Sequence, residues 1–163
     1  MRIERHFTKA SKSVDSNSVY DSIAFKKVDV VMKNPNGSAV FEALDTEVPE
    51  SWSQVAGDVL AQKYFRKAGV AACLKKVEEE TVPSWLWRSV PNEEKLSALP
   101  EKERFVGETS SKQVFDRLAG AWTYWGWKGG YFDTEDDAKI FYDEMRFMLA
   151  CQMAAPNSPQ WFN

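Results

Sequence analysis

Apolar residues recur at two different periods along this chain, and the change of period divides it. From Phe25 to Lys33 they alternate, with Val28, Val30 and Met32 on one side and Asp29, Val31 and Lys33 on the other, which predicts a strand. Asn34-Pro35-Asn36-Gly37 follows, a run suited to a tight reversal. Alternation resumes over 39–44, so the two runs predict a β-hairpin that must pack on something else. Beyond it the spacing lengthens to three and four. Val55, Ala56, Val59, Leu60, Lys63 and Tyr64 make the stripe of a helix capped by Ser51 or Ser53 and reaching about Ala68, with Gly69 as its stop.

Pro83, Pro91 and Pro100 cut residues 70–106 into short pieces, and Trp85, Leu86 and Trp87 make that stretch too apolar for a free linker. A second helix starts at Thr109, Ser110 or Ser111 and reaches about Trp125, with Val114, Leu118, Ala121, Trp122 and Trp125 as its apolar face. Thr134 with Asp137 resembles a capping box and opens a third helix to about Ala154, which Pro156 ends. Its face is read as Phe141, Met145, Met148, Leu149 and Gln152. Residues 1–22 are polar, with Ser11, Ser13, Ser16, Ser18 and Ser22 spread through them, and predict a flexible arm. The fold class that follows is mainly α (α+β), a helical domain with one β-hairpin over 23–155.

Composition narrows the functions. A net charge of −3 lacks the basic excess of a nucleic-acid binder. No apolar run is long enough to span a bilayer. Two cysteines, Cys73 and Cys151, are too few for a disulfide framework and point to the cytoplasm. With His6 the single histidine, a transition-metal site would have to recruit carboxylates or a partner, and none is expected. The seven Trp and ten Phe are the excess that stands out. They fit a helical core with a docking face better than a stacking platform, which would need a basic groove.

Candidate chemistry is sparse. Trp127-Lys128-Gly129-Gly130 lacks the P-loop spacing and reads as a turn between helices. Glu78, Glu79 and Glu80 read as a solvated face, and Asp133, Glu135, Asp136 and Asp137 as a helix start. Cys151 has no neighbouring base and reads as a small core residue. The last seven residues are different. Asn157-Ser158-Pro159-Gln160-Trp161-Phe162-Asn163 looks like the start of a strand or of a loop approaching a ligand. Pro159 pushes Ser158 toward extended backbone, which would leave its hydroxyl and N–H free for an anion; a helix-exit turn explains the run equally well.

Residues 62–70, 82–91, 114–120, the block Trp122-Thr123-Tyr124-Trp125-Gly126-Trp127-Lys128-Gly129-Gly130-Tyr131-Phe132 and the ending 155–163 together resemble the N-terminal region of the adenosylcobalamin-dependent (class II) ribonucleotide reductase large chain. The resemblance implies reduction of ribonucleotides to deoxyribonucleotides by a B12-initiated thiyl radical in a ten-stranded α/β barrel. It places residues 156–163 at the first barrel strand and gives Ser158, with Asn157 beside it, contact with the substrate phosphate. Cys73 and Cys151 do not match the family's catalytic positions, so the resemblance assigns no catalytic residue here. It implies that the catalytic cysteines, most of the barrel and the adenosylcobalamin site belong to polypeptide outside this chain. The expected partners are that remaining barrel segment, a ribonucleotide and, as a further possibility of assembly, a second copy in a homodimer. Two other readings stay open: a non-catalytic interaction or regulatory module, and a standalone nucleotide-binding domain using Ser158 and Lys128.

Overall fold

The computed structural model describes residues 1–9 and 19–163. Ser11, Ser13, Ser16 and Ser18 of the expected arm lie outside the described residues. Two antiparallel strands come first, β1 (Phe25–Lys33) and β2 (Ala39–Pro49), joined through the Asn-Pro-Asn-Gly turn. Gly37 takes φ +86°, and its N–H reaches the Asn34 carbonyl at 2.8 Å, the reversal that a residue without Cβ allows. The second strand runs five residues past the alternating segment. Its extension pairs Val48 and Glu47 with Lys26 and Lys27, and the Glu47 N–H also donates to the Thr109 carbonyl at 2.9 Å.

Helix α1 (Gln54–Val59) is capped by the Ser53 hydroxyl, which accepts from the Ala56 N–H at 3.2 Å. It then widens into a π-helical turn, Leu60–Tyr64, closed by the Phe65 N–H on the Leu60 carbonyl at 3.1 Å. The helix therefore ends four residues short of the expected Ala68. Backbone groups beyond it find partners elsewhere: Arg66 accepts from the Glu108 N–H at 2.8 Å and donates its own N–H to the Glu108 carboxylate at 2.9 Å. Tertiary pairing here overrides helix propensity.

Residues 70–106 are ordered pieces, as their apolar content requires. They comprise β3 (Val70–Ala71), β4 (Leu74–Lys76), β5 (Ser89–Pro91), α2 (Glu93–Ser97), α3 (Glu101–Arg104) and β6 (Phe105–Val106). β3 pairs with β6 and β4 with β5, both antiparallel, so one hairpin becomes three two-stranded pairs. These pairings join residues far apart in sequence and are two or three residues long, too short for alternation to register. Glu79 also departs from a solvated face. Its carboxylate accepts from the Tyr124 hydroxyl at 2.8 Å and from Arg88 at 2.8 Å, tying this stretch to a long helix.

That helix is α4 (Ser111–Lys128), and α5 (Glu135–Ala150) packs against it. Both open with a full capping box, Ser110 with Gln113 and Thr134 with Asp137. Val114, Phe115 and Leu118 of α4 are fully buried in one cluster with Leu149, Ala150, Trp52, Leu60 and Val30, and Ala119 is fully buried too. The buried face is thus rotated from the expected one, and Trp125 is left half exposed. The inward side of α5 carries charge as well as apolar groups. Asp143 and Arg146 are completely buried, joined at 2.7 Å, and Arg146 also reaches Asp116 of α4 at 3.2 Å. Residues 1–9 run along the same helix: the Ile3 N–H donates to Asp137 at 2.8 Å, Arg5 to Asp143 at 2.6 Å, and the His6, Phe7 and Thr8 N–H groups all donate to Glu144. Burial pushes the Glu144 carboxyl up, but those bonds and the Thr8 hydroxyl outweigh it and hold the group below its ordinary range. Among the described residues no helix is long and apolar enough to cross a membrane.

Gly107 sits between the two halves of the Arg66–Glu108 exchange. A Cβ there would lie 2.7 Å from the Lys67 carbonyl oxygen and 3.2 Å from that of Arg66. Backbone cannot swing aside as a side chain can. Gly107→Ala is therefore expected to destabilise the chain by about 1–3 kcal/mol, read as a lower urea midpoint.

Candidate functional site: the Ser158 turn

The chain leaves α5 at Cys151, and Gln152 takes the left-handed conformation with φ +56°. Residues Ser158–Phe162 then form a 3-10 turn, not the strand start expected for 156–163. Asn157 precedes it in extended backbone, φ −58° and ψ 151°, and its carbonyl accepts from the Gln160 N–H at 2.9 Å. The extended conformation expected at Ser158 thus falls one residue earlier. Pro159 occupies the first turn, where its missing N–H has no helical partner to lose.

Three side chains from elsewhere hold this turn. Arg117 of α4 donates to the carbonyls of Trp161 and Asn163, both at 2.6 Å, and to the Tyr64 carbonyl at 2.7 Å. Glu108 fixes the same guanidinium through Nε at 2.8 Å. Both partners of that ion pair are largely buried, with side-chain exposures of 12% and 4%. Tyr64, the last residue of the π-helical turn, stacks on Trp161 with centroids 5.4 Å apart and 25° between planes, and also meets Phe162. Trp122 of α4 donates its indole N–H to the Gln160 side chain at 3.2 Å. Trp161 is half-buried on the core, while Phe162 is 61% exposed.

Within this frame Ser158 and Asn157 are both exposed. The Ser158 hydroxyl oxygen lies 3.1 Å from the Tyr64 hydroxyl. Sequence reasoning missed Tyr64, Arg117 and Glu108. Arg117 lies within the helix expected from 109–111 to about Trp125, but the apolar face that defines that helix gives it no role. Tyr64 was read only as part of an apolar stripe. Lys128, the other residue considered for nucleotide binding, faces Glu79 at 3.7 Å and is not brought to Ser158. Cys73 and Cys151 are free thiols, and burial pushes the Cys151 thiol up, away from nucleophile chemistry. Among the described residues no group of three His, Cys, Asp or Glu side chains could hold a metal ion.

The chain is thus a mixed α and β domain followed by a Ser-Pro turn that Arg117 clamps. Residues 26–152 match the family described as class II vitamin B12-dependent ribonucleotide reductase. The chain is 66% identical over 163 residues to the vitamin B12-dependent ribonucleotide reductase of Bradyrhizobium diazoefficiens and 61% identical over 163 to that of Agrobacterium fabrum. All of this chain is covered in each case, against 13% and 12% of the two relatives. A more distant relative of the same name, from Rhodopirellula baltica, is 30% identical over 149 residues, 91% of this chain and 11% of its own length. The chain belongs to the class II vitamin B12-dependent ribonucleotide reductase family, and it spans only about an eighth of the length of the first two of these relatives.

Proposed function

We propose that this chain acts as the N-terminal part of a cytoplasmic ribonucleotide reductase, where it holds residues 156–163 as a substrate-phosphate loop and packs against the barrel segment that completes the enzyme. The observation that carries the reading is the Ser158 turn itself. An exposed hydroxyl sits on a short turn that Arg117 and Tyr64 fix from two other elements. A phosphate oxygen recognised there would accept from the Ser158 hydroxyl, a charge-assisted bond that positions the ribose end of a ribonucleotide without taking part in the chemistry. Asn157 supplies a second polar side chain at the entrance to the turn. Exposed Phe162, beside the stacked pair Tyr64 and Trp161, gives an apolar edge for a protein partner.

Adenosylcobalamin supplies the radical in this reading, and the residues here do not fit it. A cavity of about 410 Å³ lined by Ser22, Ile23, Ala24, Glu50, Ser51, Phe147 and Cys151 is too small for a corrin and offers no imidazole. The resemblance implies that the cofactor is held by the polypeptide that completes the enzyme. The test is reconstitution: this chain mixed with the remaining reductase polypeptide, with deoxynucleotide formation followed. Activity is expected only in the mixture. In the complete enzyme, Ser158→Ala is expected to raise KM for the ribonucleotide by roughly tenfold or more, the worth of one hydrogen bond to a charged group. An unchanged KM would remove Ser158 from the phosphate site.

A further inference from the structure

We infer that Tyr64 is a positioning residue for the Ser158 hydroxyl, fixing the direction in which that serine donates. The inference rests on the phosphate reading of Ser158 and adds a residue to it. In the free chain either hydroxyl of the pair can donate across the 3.1 Å gap. An arriving phosphate removes that freedom, because a fully ionised phosphate only accepts. Ser158 must then donate to the phosphate oxygen, and one of the two acceptor lone pairs on its Oγ accepts a hydrogen bond from the Tyr64 hydroxyl. The result is a chain of two hydrogen bonds, Tyr64 O–H to Ser158 Oγ and Ser158 O–H to phosphate, in which each bond polarises the next.

The surroundings of Tyr64 are built to hold its phenol still. Its carbonyl accepts from Arg117 at 2.7 Å. Its ring is stacked on Trp161 and flanked by Phe162. It also ends the π-helical turn Leu60–Tyr64, a local widening that ends the helix and sends the chain off in extended backbone at Phe65, φ −64° and ψ 136°. Such single π turns cost helical regularity and recur at functional sites. The same Arg117 guanidinium grips both Tyr64 and the Trp161 and Asn163 carbonyls, so the two hydroxyls are referenced to one rigid group.

Tyr64→Phe tests this directly, since it keeps the ring stack and deletes one oxygen. In the complete reductase it is expected to raise KM for the ribonucleotide roughly three- to tenfold, the range for one neutral hydrogen bond, with kcat within about twofold of the parent. In a Ser158→Ala background the same substitution is expected to change KM by less than about 1.5-fold, because the group it acts through is gone. Additive effects of the two substitutions overturn the inference. So does an unchanged KM in Tyr64→Phe while Ser158→Ala raises it, which leaves the phosphate reading standing. An unchanged KM in Ser158→Ala overturns both. Thermal melting of the isolated Tyr64→Phe chain supplies the control: a melting point within about 2 °C of the parent is expected, and a KM rise matched by a large loss of stability overturns the positioning role in favour of a structural one.

Discussion

Arg146→Ala is expected to destabilise the chain by about 3–5 kcal/mol, a large share of the roughly 5–15 kcal/mol that holds an ordinary domain folded. The guanidinium is completely buried between α4 and α5. It donates to Asp143 at 2.7 Å and to Asp116 at 3.2 Å, and it lies 4.0 Å from the Tyr142 ring centroid. Asp143 is as fully buried as the arginine and has Arg5 as its other cationic partner; Asp116 keeps the Tyr20 hydroxyl at 2.9 Å. Removal of Arg146 therefore takes the central cation away from two carboxylates and opens a cavity where its stem was. Already in the parent, burial pushes the Asp116 carboxyl above its ordinary range despite the Arg146 charge. Without that charge the Asp116 carboxyl moves up further. A carboxyl with a raised folded-state pKa takes up a proton on folding, so its penalty is full at neutral pH and shrinks as the pH falls toward the unfolded value of about 4. Urea unfolding followed by tryptophan fluorescence at pH 7 and pH 5 checks both parts. A loss below about 1 kcal/mol, or one that does not shrink at pH 5, would mean that these carboxylates are not held in a dry environment.

This network also marks the limit of what the sequence discloses. The hairpin was legible because its turn and alternation are local: Asn34 to Gly37 carries the reversal and Val28 and Val30 the inward face. The caps were legible for the same reason, since Ser53, Ser110 and Thr134 each bond within three residues of themselves. The inner face of α5 was not. A search for apolar periodicity passes over Asp143, Glu144 and Arg146, whose burial depends on partners at Arg5, Thr8 and Asp116. The early end of α1 was hidden too, because the backbone beyond it pairs with the N–H and the carboxylate of Glu108, 42 residues on from Arg66. At the site, Ser158 stood out through Pro159 beside it and through resemblance to a family, and of the forms left open for the run the helix-exit turn is the one observed. Tyr64 and Arg117 could be found only once the chain was folded, because no spacing in sequence joins positions 64, 117 and 158.

Arg117→Ala is expected to combine a stability loss with a functional one, and the two can be separated. One guanidinium makes bonds to three backbone carbonyls and to Glu108, whose side chain is only 4% exposed. Its removal leaves that carboxylate without its cation in a buried position, at a cost of about 3–5 kcal/mol. Arg117→Lys keeps a charge but not the planar fork that serves several acceptors at once, so it is expected to recover only part of the loss. The Ser158–Phe162 turn loses two of its holding bonds in either variant. Amide hydrogen exchange at Gln160 and Asn163, both internally bonded in the turn, is expected to accelerate far more than exchange in the middle of α4. In the complete reductase a displacement of Ser158 by about 1 Å would lower kcat/KM by up to roughly a hundredfold. Ser158→Ala provides the contrast, because an exposed hydroxyl contributes little to folding: it should change KM and leave the urea midpoint alone. If Arg117→Ala were to unfold the chain without first loosening the turn, the guanidinium would be a core staple only. If it loosens the turn and lowers kcat/KM at conditions where the rest of the domain stays folded, the α4 arginine is what transmits the rigidity of the helical domain to the hydroxyl proposed to meet the substrate phosphate.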